Sequence, residues 1–302
     1  MSVKPAHSKG SAIATPQVTL EYETFGAPED PPLLLVMGFG AQLIAWPPRL
    51  CERLADGGRY VISFDNRDCG LSSKLDGQVA DLPAIIAAMS AGELERARAL
   101  APYTLSEMSD DGLALLTALG IERAHVVGAS MGGMIAQTMA IEHPDRLLTL
   151  TSMMPTTGER EYGQSTAEAR RALLTPAPAD RAAYVEAAAS SLVWKSKKYP
   201  DLAGARRLAA ESYDRCYYPA GVSRQLTAMI ASGSRAEQLR HVRVPTLVMH
   251  GLDDTLIAPS GGERTAELIP DARLTLIEDM GHDRPEPLWP EICGAILEHT
   301  VQ

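Results

Sequence analysis

The residues best suited to chemistry lie in one stretch, Gly128-Ala129-Ser130-Met131-Gly132-Gly133. It matches the G-x-S-x-G pattern, which holds a nucleophilic serine on a sharp turn between a strand and a helix. The context agrees, because residues 124–127 predict a short buried strand and residues 134–143 a helix. The glycines leave the space that close packing of strand and helix requires. We therefore predict Ser130 as a nucleophile at a helix N-terminus, against the alternative of an ordinary Gly/Ser turn.

A serine nucleophile needs a base to take its proton and a carboxylate to orient that base. On a strand-turn-helix scaffold the three follow along the chain as serine, acid and histidine. Of the five histidines after Ser130, His282 lies in the loop after the predicted buried strand 273–277. Loops after strands are where catalytic groups gather in open α/β sheets. His282 is therefore the predicted base, against the alternative of a surface histidine.

The acid is expected in the loop after an earlier strand. The loop after residues 147–153 has no carboxylate, whereas the loop after residues 246–250 contains Asp253 and Asp254. The alternative is that both are turn formers, as aspartate often is. Leu252 is apolar and is expected to turn toward the body of the domain. We favour Asp254 as the acid and expect Asp253 to bond local backbone N–H groups.

An oxyanion hole needs two backbone N–H groups aimed at the developing negative oxygen. Met131, directly after the nucleophile, is the first predicted donor. Phe39 is the second, since it follows the apolar run 33–37 and lies between Gly38 and Gly40. Glycines there let the backbone approach a ligand closely.

The predicted elements that position these residues alternate between buried strands and helices, which indicates an α/β fold with a mainly parallel sheet. The alternation stops between Pro155 and Val242, where the sequence is helical in pattern. We expect a core domain formed by residues 1–154 and 243–302, with residues 155–242 as an inserted helical cap. Residues 1–11 are polar and expected to be poorly ordered, and residues 18–25 alternate like a half-exposed edge strand.

Composition excludes several classes of protein. The chain has 302 residues, is 45% hydrophobic and carries a net charge of −10, which argues against nucleic-acid or anionic-membrane binding. No apolar run is long enough to span a membrane, and residues 1–20 contain no continuous apolar segment typical of a secretory signal. Four scattered cysteines are expected to be reduced thiols of a cytoplasmic protein. No Cys/His cluster has metal-ligand spacing. The oligomeric state stays open, a homodimer included.

The combined motifs resemble the α/β-hydrolase superfamily over nearly the whole chain, and most closely its branch containing aclacinomycin methylesterase. The resemblance rests on four segments: residues 35–40, 64–72, 127–133 and 245–251. It implies Ser130 as nucleophile, Asp254 as acid, His282 as base, Phe39 and Met131 as oxyanion donors, and no cofactor or metal. The sequence departs from many members at Met37, where they have histidine.

The expected activity is hydrolysis of small to medium apolar carboxylic esters through an acyl-enzyme. The same machinery serves lactonases, amidases, C–C bond hydrolases and perhydrolases, which the sequence does not separate. Candidate lining residues of the substrate pocket are Gly38, Met153, Trp194 and Met229, although at Met153, Trp194 and Met229 core packing explains the residue equally well.

Two other classes of protein fit the sequence less well. A dinucleotide-binding oxidoreductase is disfavoured, because Leu43 stands where a third Gly or Ala of G-x-G-x-x-G is expected. A non-catalytic small-molecule receptor on the same fold is disfavoured by the intact serine, histidine and aspartate. Asp65 and Arg67 are expected to brace a loop beside the cleft through an ion pair or turn network.

Overall fold

A computed structural model describes residues 7–301. In this range the strands form one eight-stranded sheet. They are β1 (His7–Thr15), β2 (Val18–Phe25), β3 (Pro32–Val36), β4 (Tyr60–Phe64), β5 (Ala124–Ala129), β6 (Leu147–Met153), β7 (Thr246–Gly251) and β8 (Arg273–Ile277).

The helices connect these strands and flank the sheet. The α-helices are α1 (Pro48–Asp56), α2 (Leu82–Ser90), α3 (Leu94–Leu100), α4 (Leu105–Ala118), α5 (Met131–Glu142), α6 (Ala167–Leu174), α7 (Arg181–Ala187), α8 (Leu202–Arg215), α9 (Pro219–Ser232), α10 (Ala236–Leu239), α11 (Ser260–Leu268) and α12 (Trp289–His299). Short 3-10 helices cover Leu43–Ala45, Pro144–Arg146, Ala188–Trp194 and Glu286–Leu288.

The strand order is β1-β2-β4-β3-β5-β6-β7-β8. Strands β3 to β8 run parallel to one another, whereas β2 pairs antiparallel with both β1 and β4. The predicted α/β class with a mainly parallel sheet is confirmed. Because parallel strands all end at the same edge, the loops after β3, β5, β7 and β8 meet there. Those loops carry the predicted site residues.

Both faces of the sheet are buried, and alternate residues of a strand serve opposite faces. On β3, Leu34 and Val36 pack in a cluster with residues of α4 and α5, whereas Leu33 and Leu35 pack with residues of α1 and α12. This explains the continuous apolar run of that strand, since neither face meets water. The packed sheet gives the loops at its carboxyl edge a rigid base.

The N-terminal strands differ from the sequence-based expectation. Strand β1 forms the sheet edge, and the prediction of poor order is wrong for residues 7–11; residues 1–6 lie outside the described range. Strand β2 is paired on both sides and is therefore not an edge strand. Backbone pairing rather than an apolar pattern holds β1, because eight of its nine residues are exposed or only half-buried. The strand therefore leaves no regular apolar pattern in the sequence.

Between β6 and β7 the described chain contains helices and no strand; we call residues 155–242 the cap segment. Helix α9 of this segment packs against α2, α3 and α4. None of the helices in residues 7–301 combines the length and apolar character needed to cross a bilayer.

Candidate active site

Ser130 lies between β5 and α5 with a positive φ of 57° and ψ of −121°. An L-residue adopts this backbone conformation only at a cost, which the surrounding packing must offset. A side chain at Gly128 would overlap the carbonyl of Gly132, and one at Gly132 would overlap the carbonyl of Val36. The glycines of the motif are therefore required by the close approach of β5, α5 and β3. The Ser130 hydroxyl forms no hydrogen bond to residues 7–301 and lies on a cavity wall.

His282 and Asp254 are in direct contact. His282 Nδ1 lies 2.6 Å from Asp254 Oδ2, and the Asp254 side chain is fully buried. The other carboxylate oxygen, Oδ1, accepts the backbone N–H groups of Leu256 and Ile257 at 2.8 and 2.9 Å. Burial opposes ionisation of Asp254, but the electrostatic interaction and hydrogen bonds with His282 and His250 outweigh it and lower its pKa to about 2. Asp254 is therefore a carboxylate at any pH near neutrality.

His250 is a further contact of this carboxylate, and sequence reasoning gave it no role beyond a buried strand end. Its Nε2 lies 3.3 Å from Asp254 Oδ2 and 2.8 Å from the carbonyl oxygen of Ile257. Both side chains are fully buried. The sequence feature that could have indicated this contact is the position of His250 at the end of the strand that leads to Asp254.

Asp253 and Leu252 behave differently from expectation. The Asp253 carboxylate contacts the backbone N–H and Nζ of Lys197, in the cap segment, rather than local backbone groups. Leu252 is 47% exposed and does not turn into the domain; Leu256 and Ile257 do so instead. The apolar anchor of this loop thus follows the aspartates, because two backbone bonds to Asp254 fold residues 256 and 257 inward.

The loop after β3 lies directly against the nucleophile. A Cβ at Gly38 would lie 3.1 Å from Ser130 Cβ. The N–H groups of Phe39 and Met131 have no hydrogen-bond acceptor among residues 7–301, which leaves both free to bind a substrate oxygen. Gln225 of α9 holds this loop by accepting the Gly40 N–H at 2.9 Å. The sequence did not single out this residue.

A cavity of 1130 Å³ opens above these residues. Ser130 and His282 line it, as do Gly38, Trp194 and Met229 of the predicted pocket residues. Met153 does not line it: its side chain is fully buried in the cluster with α1 and α12, while its neighbour Met154 reaches the cavity. Met154 directly follows β6 with a positive φ of 45°, so the chain has left the strand where this residue reaches the cavity. The volume is sufficient for a drug-sized molecule.

Residues 193–198 of the cap segment, which we call the strap, contact both the loop that carries His282 and the loop that carries Asp254. The Trp194 carbonyl accepts the His282 N–H at 2.6 Å, and the Val193 carbonyl accepts the Thr255 hydroxyl at 2.8 Å. In turn, the Asp283 carboxylate accepts the Ser196 N–H at 3.0 Å. The strap therefore fixes the cap segment to the site and closes one side of the cavity.

Asp65 and Arg67 do not pair with each other. Arg67 forms a two-pronged ion pair with Asp111 of α4, with distances of 2.6 and 2.8 Å. Asp65 pairs with Arg215 of α8 at 2.6 Å, so it connects the core to the cap segment. The two residues therefore brace the loop as expected, but they do so through separate ion pairs to distant helices and through two backbone N–H groups that Asp65 accepts, not by pairing with each other. In residues 7–301 no group of three or more His, Cys, Asp or Glu side chains is arranged to hold a metal ion.

This arrangement is suited to nucleophilic catalysis. A histidine that donates Nδ1–H to a buried carboxylate presents an unprotonated Nε2 to the cavity, where it can accept a proton. A strained serine with a free hydroxyl lines the same cavity, and the N–H groups of Phe39 and Met131 beside it have no acceptor among the described residues.

Comparison with known proteins gives consistent results. A sequence model described as the alpha/beta hydrolase fold matches residues 31–284. The chain is 30% identical to rhodomycin D methylesterase of Streptomyces sp. (strain C5) and 29% identical to that of Streptomyces peucetius, each over 95% of this chain and 97% of the relative. The structure of an enol-lactonase from Burkholderia xenovorans LB400 superposes with a TM-score of 0.73 at 21% identity, covering 97% of this chain and 100% of that one.

Proposed function

The chain belongs to the α/β-hydrolase family and is an esterase-type hydrolase, and within it we propose a serine carboxylic-ester hydrolase that acts through Ser130, His282 and Asp254 on small to medium apolar esters. The observation that carries the proposal is the 2.6 Å contact between His282 Nδ1 and Asp254 Oδ2 beside a cavity that Ser130 also lines. The names of the methylesterase relatives support ester hydrolysis as the reaction.

The proposed reaction begins when His282 Nε2 takes the proton of Ser130 and the serine oxygen attacks the ester carbonyl. The negative oxygen of the tetrahedral intermediate accepts the N–H groups of Phe39 and Met131. His282 then gives its proton to the departing alcohol, leaving an acyl group on Ser130. Water, activated by the same imidazole, releases the acid and restores the enzyme.

The Ser130→Ala variant tests this proposal with a chain-length series of p-nitrophenyl esters. We expect kcat to fall by several orders of magnitude while a residual rate of about 10³–10⁴ over water remains from binding and oxyanion contacts. A fluorophosphonate should label the wild type and Ser190→Ala, a control serine on the exposed side of the cap segment, but not Ser130→Ala. Near-wild-type turnover by folded Ser130→Ala would refute the proposal.

A further inference from the structure

The cavity contains a second chemical feature, the guanidinium of Arg284, two residues after His282. Arg284 lines the cavity, where its guanidinium carbon lies 4.4 Å from the centre of the Trp46 ring. Trp46 follows the 3-10 helix Leu43–Ala45 in the loop after β3. Arg284, on the loop that carries His282, therefore contacts the loop after β3 that carries Phe39.

Most hydrogen-bond donors of Arg284 are unused. A guanidinium has five N–H donors. Nη2 donates to the Ala45 carbonyl at 2.9 Å, but Nε is buried without a partner and Nη1 has no acceptor among residues 7–301. Unsatisfied donors of a charged group are costly in a protein interior. Arg284 therefore has N–H donors left over for a hydrogen-bond acceptor on a bound ligand.

The charge of Arg284 is also unpaired. Within residues 7–301, no carboxylate lies within 4.0 Å of either Arg284 or Lys195, a second cation on the cavity wall. The nearby Asp283 directs its Oδ1 to the backbone N–H groups of Ser196 and Gly281 instead. Asp201, which also lines the cavity, caps α8 by accepting the Gly204 N–H. Both local carboxylates are therefore occupied by backbone groups.

The electrostatics agree with this geometry. Burial lowers the pKa of Arg284 to about 10, opposed by Asp283. Burial also lowers the pKa of Lys195; Asp283 and Asp201 oppose that shift, and the charge of Arg284 adds to it. The two cations thus lie near enough to repel each other, and an anion between them would relieve the repulsion.

Arg49, on the same wall, provides the contrast. Its Nη1 is 2.6 Å from Glu286, so this cation already has a carboxylate. Arg284, which is less exposed than Arg49, has no carboxylate within 4.0 Å in the part of the chain that the structure describes.

We propose that Arg284, flanked by Lys195, binds a carboxylate of the substrate, so that the preferred esters are half-esters of dicarboxylic acids. This inference rests on the proposed ester hydrolysis at Ser130. A half-ester carries the scissile ester at one end, an apolar chain in the middle and one anion at the other end. The carboxylate accepts N–H groups of Arg284, the apolar chain lies against the methionine-lined wall, and the ester carbonyl reaches Ser130.

A series of paired substrates tests the proposal. Monoethyl succinate, glutarate, adipate and suberate are each compared with the neutral ester in which an amide replaces the free acid, by pH-stat titration. We expect kcat/KM of the best half-ester to exceed that of its amide partner by about ten- to a hundredfold, since a hydrogen-bonded charge contributes on that order. The number of carbons in the half-ester with the highest kcat/KM measures the distance from Ser130 to Arg284.

Variants assign the preference to one residue. Arg284→Gln should lower the ratio of half-ester to amide kcat/KM at least tenfold, mainly through KM, and Arg284→Lys should retain part of it. Arg49→Gln is the matched control, since it removes a cavity cation that is already paired, and it should keep the wild-type ratio. Melting temperatures verify folding. An equal loss on both substrates in Arg284→Gln would overturn the proposal.

Binding separates this inference from the proposed reaction. Calorimetry of adipate with Ser130→Ala should give a Kd that rises at least tenfold when Arg284→Gln is added. If neutral esters are hydrolysed without any half-ester preference and adipate does not bind, the carboxylate site is refuted and the esterase stands. If adipate binding depends on Arg284 but no ester is hydrolysed, the anion site stands and the proposed hydrolysis fails.

Discussion

Asp254 is the most constrained side chain of the candidate site. One oxygen accepts two backbone N–H groups and the other faces two imidazoles, His282 at 2.6 Å and His250 at 3.3 Å. Its neighbour Asp253 shares the loop but reaches only Lys197 on the strap. Two adjacent carboxylates with such different partners should have different effects on the reaction.

At the scale of single residues, we predict that Asp254→Asn lowers kcat on a short ester by about 10⁴-fold, because the amide holds His282 in the wrong tautomer. Asp253→Asn, the matched control, should change kcat less than about threefold and cost no more than about 1 kcal/mol, since it loses a partly exposed contact with Lys197. Initial rates with melting temperatures check both. If Asp253→Asn proves the inactive variant, the acid is misassigned; if both stay active, the proposed mechanism fails.

The strap is the element that connects the cap segment to the loops of the candidate site. Three residues of it, Val193, Trp194 and Ser196, bond the loops after β7 and β8, so the cap segment and the catalytic loops form one unit. The contact is close at Gly281, where a Cβ would lie less than 3.0 Å from backbone atoms of Trp194, Lys195 and Ser196. Only glycine fits there without displacing the strap.

Gly281→Ala should therefore push the strap away and shift His282, whose N–H bonds Trp194. We expect kcat/KM on a short ester to fall at least tenfold, since misplacement by about 1 Å costs up to 10². Gly294→Ala is the matched control: a Cβ there meets nothing within 4 Å, and alanine in α12 should raise stability by about 0.5–1 kcal/mol. Unchanged kinetics in Gly281→Ala would show that the strap does not position His282.

Sequence-based prediction and structure agree best for elements whose position is determined by the burial of apolar side chains. The strands from β3 to β7 were predictable because each is largely an apolar run, and the residues after their carboxyl ends meet as parallel topology requires. Strand β8 was predicted in the right place, but the expectation that it is buried is wrong: it forms the second edge of the sheet, and only Ile277 of its five residues is buried. Strand β1 was not predictable, because edge pairing leaves no apolar pattern. The partners of Asp65, Arg67 and Asp253 were not either, since each lies on an element distant in sequence.

At the scale of the whole molecule, the two ends of the sheet carry ionisable groups that respond differently to acid. The carboxyl end carries the candidate site, with a carboxylate that stays ionised down to a pH of about 2. The amino end carries buried histidines. His125, near the start of β5, bonds the Thr149 hydroxyl at 2.9 Å, and His299 of α12 contacts the Leu150 and Pro245 carbonyls. Acid should therefore destabilise the molecule from the end opposite to the site.

Burial lowers the pKa of His125 to about 4, helped by the charges of Arg59 and His299; burial also lowers the pKa of His299. An unfolded histidine titrates near about 6.5. Between pH 6.5 and 4 the unfolded chain thus binds a proton that folded His125 does not, so stability falls as the pH falls. Asp254 contributes nothing in this window, since its contribution is lost only below about pH 4.

We predict that the free energy of unfolding drops between pH 7 and pH 5 by roughly 1–2 kcal/mol from His125 alone. His125→Gln, which keeps a hydrogen-bonding group for Thr149 but does not titrate, should be less stable at pH 7 and show a correspondingly smaller drop. His241→Gln, at an exposed position, should keep the wild-type pH dependence. Urea titrations at pH 7, 6 and 5 measure all three proteins. An equal drop in wild type and His125→Gln would mean that other groups destabilise the fold in acid.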